Sequence, residues 1–538
     1  MKQRPLIVYG VFLGGLFGVP LAALLYAGQQ FMGMPFVPFD IFEWVARVLP
    51  GGVVTAGIDT MARAINTLNL GPIDTIAKFA EQSMALVLFI IVMAVLGAII
   101  GLLVGRVRRS AWETGAGVGI VAFLLLLVLE ANRVNLSATP YIGPGMAVLI
   151  IAWGAAVGGL LGRERDPLGH AANAGSARPS GAERRALLLK ATGGALALAA
   201  AAWGTGRFLQ VRDTLVGAGK ALRNLRPASG SQPLPTEPTA QRADIHPAPG
   251  TRAEITPNDQ FYRIDIDLRP PRVDGPTWQL DVSGLFDRAR PLTLDDLMRY
   301  PSVTVPITQG CISNPVGGNL ISATYYTGAR MRDVLQDLGL QASAKDLVVK
   351  AADGFYESIS MQDMLDPRTL FVYGMNGTTL PIAHGYPLRT FIPNRYGMKQ
   401  PKWITSIEAS AHQRAGFWVD RGWSQEARPH IISIIDTVAQ NNVAHGKVPV
   451  GGIAWAGDRG IQKVEVQVDD GQWNEAQLLA PPRSPLIWVL WRYDWPVQPG
   501  RHTFRVRATD GTGALQEATP SDPHPNGATG YHEVAASW

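Results

Sequence analysis

Apolar residues crowd into the first 205 positions of the chain and gather there in five stretches, at about 5–27, 83–105, 115–130, 140–161 and 186–203. The second (Ser83 to Gly105) and the fourth (Tyr141 to Leu161) reach the roughly 20 residues a helix needs to cross a bilayer. The third is shorter and ends at Glu130, either a solvated end residue or a quinone or proton site. The fifth, Ala186 to Trp203, is alanine- and glycine-rich and only moderately hydrophobic. Between the first two, Phe36, Phe39, Phe42, Trp44, Val45, Val48 and Leu49 partly follow helical spacing. That predicts a helix lying in the outer membrane interface, with a re-entrant segment as the other reading.

After position 205 the pattern changes. Residues 206–250 are rich in proline, alanine and threonine, a composition that reads as an extended linker. From 251 to 425 short β-type runs alternate with short helices. Trp278–Gly284, Val303–Thr308 and Asp346–Ala352 read as strands. Leu294–Tyr300 and Met331–Leu338 read as helices, the latter with apolar residues at helical spacing. This is a mixed α+β domain. From 426 to 538 strand-like runs recur at Gly452–Trp455, Ile461–Val468, Ile487–Trp491 and His502–Ala508, with turns at Asp469–Gly471 and Pro499–Gly500. Val464, Val466 and Val468 alternate with polar residues, as burial of one face requires, so the last domain reads as a β-sandwich. The membrane portion is residues 1–205.

Of the 538 residues, 47% are hydrophobic and only 17% charged, which fits a membrane portion fused to a water-facing one. The net charge of +5 is small, and the basic residues sit beside apolar runs, so they set topology and do not mark a nucleic-acid partner. Lys2, Arg4, Arg106, Arg108, Arg109, Arg163, Arg165, Arg184 and Arg185 flank the apolar stretches. Five spans with those ends inside put the N-terminus in the cytoplasm and the C-terminal domains on the extracytoplasmic, periplasmic-type side of the cell membrane.

Cys311 is the single cysteine, so the chain has no internal disulfide and no four-cysteine zinc or iron–sulfur site. It is either a small buried hydrophobe or a reactive or metal-ligating thiolate. Its loop, Thr308 to Ser322, contains Gly310, Pro315, Gly317 and Gly318, which let the backbone approach a bulky ligand. The first histidine is His170, after the fourth stretch, and no Cys-x-x-Cys-His occurs, so haem of the common kinds is not expected.

Cys311-Ile-Ser-Asn-Pro-Val-Gly-Gly followed by Tyr326–Leu335, then Ala352–Ile359, then His384–Trp403, resembles the molybdenum–cysteine loop and two later motifs of the sulfite oxidase family, in that family's order. The resemblance covers Pro257 to the C-terminus. After the all-α transmembrane part read from the apolar stretches, it implies a multi-domain architecture: an α+β sulfite-oxidase-type molybdopterin domain, then an all-β immunoglobulin-like sandwich through which family members often dimerise. It implies molybdenum with molybdopterin, and Cys311 as metal ligand. His384, Arg389 and Lys402 match cofactor-binding positions, Gln400 lies beside Lys402 in the same loop, and Asp353 matches a further contact. Phe261, Tyr262 and Asp265 line up with the family's N-terminal cofactor segment. Glu183-Arg-Arg-Ala-Leu-Leu-Leu-Lys190 resembles a twin-arginine export signal, which such a cofactor-loaded protein would use.

The chain departs from that family where substrate binds. The arginine that follows the metal cysteine by five residues is replaced by Val316, and the active-site tyrosine aligns with Trp423. Arg263 supplies one charge. With Cys311, Arg263 and Trp423 as the catalytic set, the resemblance implies two-electron oxygen-atom transfer on a small-molecule oxo-donor or oxo-acceptor other than sulfite. A separate electron carrier, a cytochrome or a membrane redox partner, would complete the circuit. The competing readings are a cofactor-free, membrane-tethered binding or assembly module and a transporter with a regulatory soluble part.

Overall fold

The computed structural model describes residues 3–32, 34–68, 73–107, 110–131, 142–165, 197, 246–479 and 484–538. The fifth apolar stretch (Ala197 apart), the twin-arginine-like segment and the linker up to residue 245 lie outside the described residues. The chain forms two compact units, one of Met1–Leu49 with Lys78–Arg226 and one of Pro50–Ala77 with Pro227–Trp538.

The first unit holds α1 (Gln3–Met32), α2 (Val37–Val48), most of α4 (Ile73–Arg106), α5 (Ala111–Ala131) and α6 (Ile142–Arg165); α3 (Gly51–Thr67) belongs to the second. Four stretches of these helices are long and apolar enough to cross a membrane: Leu6–Phe31, Ile76–Arg106, Ala111–Leu129 and Gly143–Arg163. Small residues bring two helix pairs into backbone contact. A Cβ on Gly10 would lie 2.2 Å from the carbonyl oxygen of Gly97, and one on Gly101 would lie 2.3 Å from that of Leu6. Gly115 and Gly154 meet in the same way between α5 and α6. Without water to drive association, such close approach is what helices in lipid use to gain dispersion contact. The helical spacing read between the first two stretches forms α2, and its Phe36 cap packs edge-on against Tyr26 of α1 at 5.9 Å.

The second unit is β-rich. Its strands are β1 (Gln279–Gly284), β2 (Leu292–Thr293), β3 (Ser302–Gly310), β4 (Ile321–Arg330), β5 (Asp346–Ala351), β6 (Tyr356–Ser360), β7 (Leu370–Met375), β8 (Thr378–Thr379), β9 (Arg389–Phe391), β10 (Ile404–Ser410), β11 (Ile432–Val438), β12 (Lys447–Trp455), β13 (Ile461–Val468), β14 (Trp473–Glu475), β15 (Gln477–Leu478), β16 (Val489–Pro496), β17 (Arg501–Asp510) and β18 (His532–Ser537). One five-stranded sheet runs β2-β1-β10-β5-β6, with β1 and β10 parallel; the other runs β3-β4-β7-β8, with β9 added on β7. The short helix α7 (Leu294–Met298) starts at a capping box, Thr293 accepting from the Asp296 amide while Asp296 accepts from Thr293. It joins α8 (Met331–Asp337) in covering a core of Leu280, Leu335, Leu347, Phe371 and Ile407. α9 (Met361–Met364) follows β6.

Two four-stranded sheets close the chain, β11-β12-β16-β15 and β14-β13-β17-β18. Val448, Val450 and Trp491 of the first share a core with Val464, Val466, Phe504 and Val506 of the second, so the alternation read along β13 buries one face of each sheet. Pro50–Ala77, within the stretch read as the membrane portion, clusters with the β-rich unit. At the end of the segment read as an extended linker, Ala248 is buried, Pro249 O accepts a bond from the Thr437 hydroxyl, and His246 O accepts one from Arg492.

Lys399 and Glu357 form an ion pair at 2.8 Å whose side chains are 6% and 0% exposed. Removing one partner strands a buried charge, which costs about 3–5 kcal/mol. In the detergent-solubilised full chain, Lys399→Ala is expected to lower the thermal midpoint by on the order of 10 °C. The double replacement Lys399→Met with Glu357→Leu should recover most of that loss.

Candidate functional site

The β3–β4 hairpin positions the cysteine. Its strands pair from Ser302 opposite Ala329 to Gly310 opposite Ile321, so the loop 311–320 begins and ends at the same rung. The loop is knotted by its own bonds. The Cys311 amide donates to Leu320 O at 2.9 Å, the Leu320 amide donates to Asn314 Oδ1 at 2.9 Å, and the Asn314 amide donates to Cys311 O at 3.1 Å. Gly317 has φ +74, and a Cβ there would sit 2.2 Å from the His532 ring, so only glycine fits. Cys311 is 8% exposed, its Sγ lies 3.0 Å from Ser313 Oγ, and burial pushes the thiol up from its ordinary value.

Arg389 enters from β9. It is 1% exposed; Nη1 donates to His384 O at 3.1 Å and Nη2 to Gln309 Oε1 at 2.9 Å, while its Nε has no partner. The guanidinium lies 5.0 Å from the Tyr326 ring centroid. Gln309 also donates to the Tyr262 hydroxyl and accepts from that of Tyr326, both at 3.3 Å. His384 Nε2 sits 2.9 Å from Asn258 O, so that nitrogen carries the proton, and the ring packs edge-on against Phe261 at 5.3 Å. Burial, then Lys402 and Arg389, push His384 down to about 4, which keeps it neutral at pH 7. Phe261 stacks on Tyr262 at 5.5 Å, and both share one buried cluster with Cys311.

Lys402 binds Asp265 and, at 3.3 Å, Ile264 O, and its ammonium lies 4.5 Å from the Trp403 ring. Burial pushes Lys402 down, with Asp265 opposing. Arg263 Nε lies 3.2 Å from Asp265 as well, so the expected substrate cation already faces a carboxylate. Asp353 accepts from the Phe355 amide at 3.0 Å, and burial pushes it up to about 6. Gln400 donates to Arg395 O at 2.9 Å, leaving its buried Oε1 unpaired. Trp423 is 5% exposed in the adjoining cluster with Ile312, Tyr396 and Met398; its Nε1 is unpaired and its ring meets His524 edge-on at 5.0 Å.

The structure thus brings Cys311, Phe261, Tyr262, His384 and Arg389 together directly and Lys402, Asp265 and Arg263 as a second group. Gln400 lies on the loop between β9 and β10, and Trp423 one cluster away, through Ile312. Sequence reading missed Gln309, Tyr326 and Asn258. Gln309 carries no signal of its own in the sequence, because the groups it binds come from distant segments. The donor set suits an anionic, thiolate-accepting metal cofactor. It offers one soft sulfur ligand, a buried arginine with an unspent N–H and a lysine.

Residues 267–418 match the oxidoreductase molybdopterin binding domain family. Human mitochondrial sulfite oxidase is 27% identical over 304 residues, 48% of this chain and 56% of that protein. NADH nitrate reductase 1 of Oryza sativa subsp. japonica is 26% identical over 352 residues, 52% of this chain and 37% of that protein. A putative protein-methionine-sulfoxide reductase subunit, YedZ1, of Azospira oryzae is 31% identical over 163 residues, 30% of this chain and 60% of that protein. The solved sulfane dehydrogenase SoxCD from Paracoccus pantotrophus aligns with a TM-score of 0.48 at 21% identity, over 53% of this chain and 82% of that one. The chain spans about half the length of the sulfite oxidase it matches. With the family's domain matched across β1 to β10 and the cysteine loop packed in a buried cationic site, residues 267–418 form an oxidoreductase molybdopterin binding domain similar to that of sulfite oxidases.

Proposed function

We propose that this chain is a membrane-anchored, extracytoplasmic molybdopterin-dependent oxidoreductase that reduces a neutral S-oxide or N-oxide by oxygen-atom transfer. The observation that carries this reading is the charge distribution at the site. The buried cations Arg389 and Lys402 lie near His384, while Val316 and Trp423 occupy the sequence positions at which the resembled family has its substrate arginine and tyrosine. Arg263 shares Asp265 with Lys402, so part of its charge is already met by a carboxylate. The name of the Azospira relative, a protein-methionine-sulfoxide reductase subunit, supports the same substrate class.

The cofactor, when bound, supplies two-electron redox chemistry and a metal that takes up an oxygen atom. Cys311 would ligate that metal as the thiolate, its proton displaced by the metal's charge. Arg389 would turn its free Nε–H, and Lys402 its ammonium, toward the anionic pterin. His384 stays neutral at pH 7 and keeps a lone pair on Nδ1, since Nε2 is spent on Asn258 O. Tyr262 and Tyr326, both pushed above the ordinary phenol range by burial, remain protonated; Tyr326 donates to Gln309, and Tyr262 accepts from it. The overall reaction consumes an oxide, two electrons and two protons and releases the reduced compound and water. Electrons come one at a time from a separate carrier, a cytochrome or a membrane redox partner.

In this reading the β-sheet pair at 432–537 is an immunoglobulin-like sandwich and the apolar helices are the anchor, with both β-rich portions outside the cytoplasm.

Three outcomes test the reading. Wild-type protein from a molybdopterin-competent host should reduce sulfoxides or N-oxides with a reduced viologen as donor, and should oxidise sulfite far more slowly with ferricyanide as acceptor. Val316→Arg should raise kcat/KM for sulfite by about tenfold to a hundredfold, the worth of one charged hydrogen bond; an unchanged value removes the charge argument. Arg389→Met should weaken cofactor retention by on the order of a hundredfold, read as pterin fluorescence per chain after dialysis. Pterin retained at the wild-type level would exclude Arg389 from the cofactor site.

A further inference from the structure

α3 lies within the β-rich unit although its sequence falls between two apolar spans. Its apolar residues Val54, Ile58, Met61 and Ile65 follow one another at i, i+4, i+7 and i+11, a single stripe along the helix. That stripe is the inward face: Ile65 is 3% exposed and the other three are half-buried, whereas Val53 on the opposite side is 55% exposed.

Two separate contacts fix what α3 covers. Ile65, with Met61 and then Ile76 and Ala77 after the helix, packs into the cluster that contains Cys311, Phe261 and Tyr262. At the other end, a Cβ on Gly51 would lie 2.9 Å from Arg421 Cα, so the helix start rests on the turn two residues before Trp423. Seventeen residues at 1.5 Å each reach about 25 Å, so the two contacts hold opposite ends of one helix, at the turn before Trp423 and at the cluster that contains Cys311.

We propose that α3 is the wall of the substrate entrance and that Met61 and Ile65 set which substrates pass: compact, neutral oxides are admitted, and bulky or strongly hydrated ones are held out. The substrate class rests on the function proposed above; the covering of Cys311 does not. The stripe presents only methyl, methylene and thioether groups, which desolvate a charged substrate without returning a hydrogen bond. Most of the surface these side chains bury is lost when they are cut to alanine.

Cys311 is the single thiol in the chain, so its alkylation by iodoacetamide reads access to the site directly. The full chain is prepared without cofactor, from a molybdopterin-deficient host, and compared as wild type, Met61→Ala with Ile65→Ala, Val53→Ala, and Ile65→Trp. The double variant should alkylate about tenfold faster than wild type, Val53→Ala should match wild type, and Ile65→Trp should be slower. A double variant that alkylates at the wild-type rate while keeping the wild-type thermal midpoint overturns the wall. An Ile65→Trp that is faster than wild type does the same. In molybdenum-loaded enzyme, the ratio of kcat/KM for methyl phenyl sulfoxide over dimethyl sulfoxide should rise about fivefold in the double variant. Faster alkylation with an unmoved ratio overturns the selection by Met61 and Ile65. Loaded wild type that turns over no S- or N-oxide defeats the proposed reaction, and the alkylation series still decides whether α3 covers the site.

Discussion

Arg389 is buried as completely as the leucines of the core, and among the described residues no carboxylate pairs with it. A guanidinium in that position is costly unless its donors are met. Two of its nitrogens are satisfied by neutral oxygens, those of His384 and Gln309, and the third has nothing. The rest of the site depends on this unfinished arrangement. His384 is held neutral beside it, Tyr262 and Tyr326 are gathered by the same Gln309, and the Cys311 loop closes over the cluster. In the proposed function an anionic cofactor would complete the set where a carboxylate of the protein does not.

What could be read from the sequence followed from how local each feature is. The strands at 279–284, 302–310 and 461–468 and the helices at 294–298 and 331–337 lie where alternation and helical spacing put them. Cys311, His384, Arg389 and Lys402 were legible because their neighbours form motifs with fixed spacing. Gln309 was not singled out because a glutamine in a strand carries no signal until its partners, Tyr262, Tyr326 and Arg389, arrive from distant segments. The pairing of Gly10 with Gly97 was equally hidden, since a glycine in an apolar helix shows no partner until two helices meet.

α3 is the instructive case. Gly51-Gly-Val-Val-Thr-Ala-Gly-Ile-Asp-Thr-Met-Ala-Arg-Ala-Ile-Asn-Thr is too weakly apolar to announce itself as a span and too poor in charge to read as a surface helix. Its stripe acquires meaning only from the cluster it enters. Position between two apolar stretches pointed to the membrane; its packing points to the cysteine loop. A chain that folds a piece of its helical portion into its catalytic unit ties entrance and anchor into one polypeptide.

The claim on which everything else rests is that Cys311 ligates a molybdenum–pterin cofactor. The direct measurement is the molybdenum and pterin content of the purified full chain from a molybdopterin-competent host, with X-ray absorption at the molybdenum edge, for wild type beside Cys311→Ser. The account predicts about one molybdenum per chain in wild type and the loss of one metal–sulfur ligand, or of the metal itself, in the variant. Folded wild-type protein free of molybdenum, or a variant with unaltered metal–sulfur coordination, would contradict it.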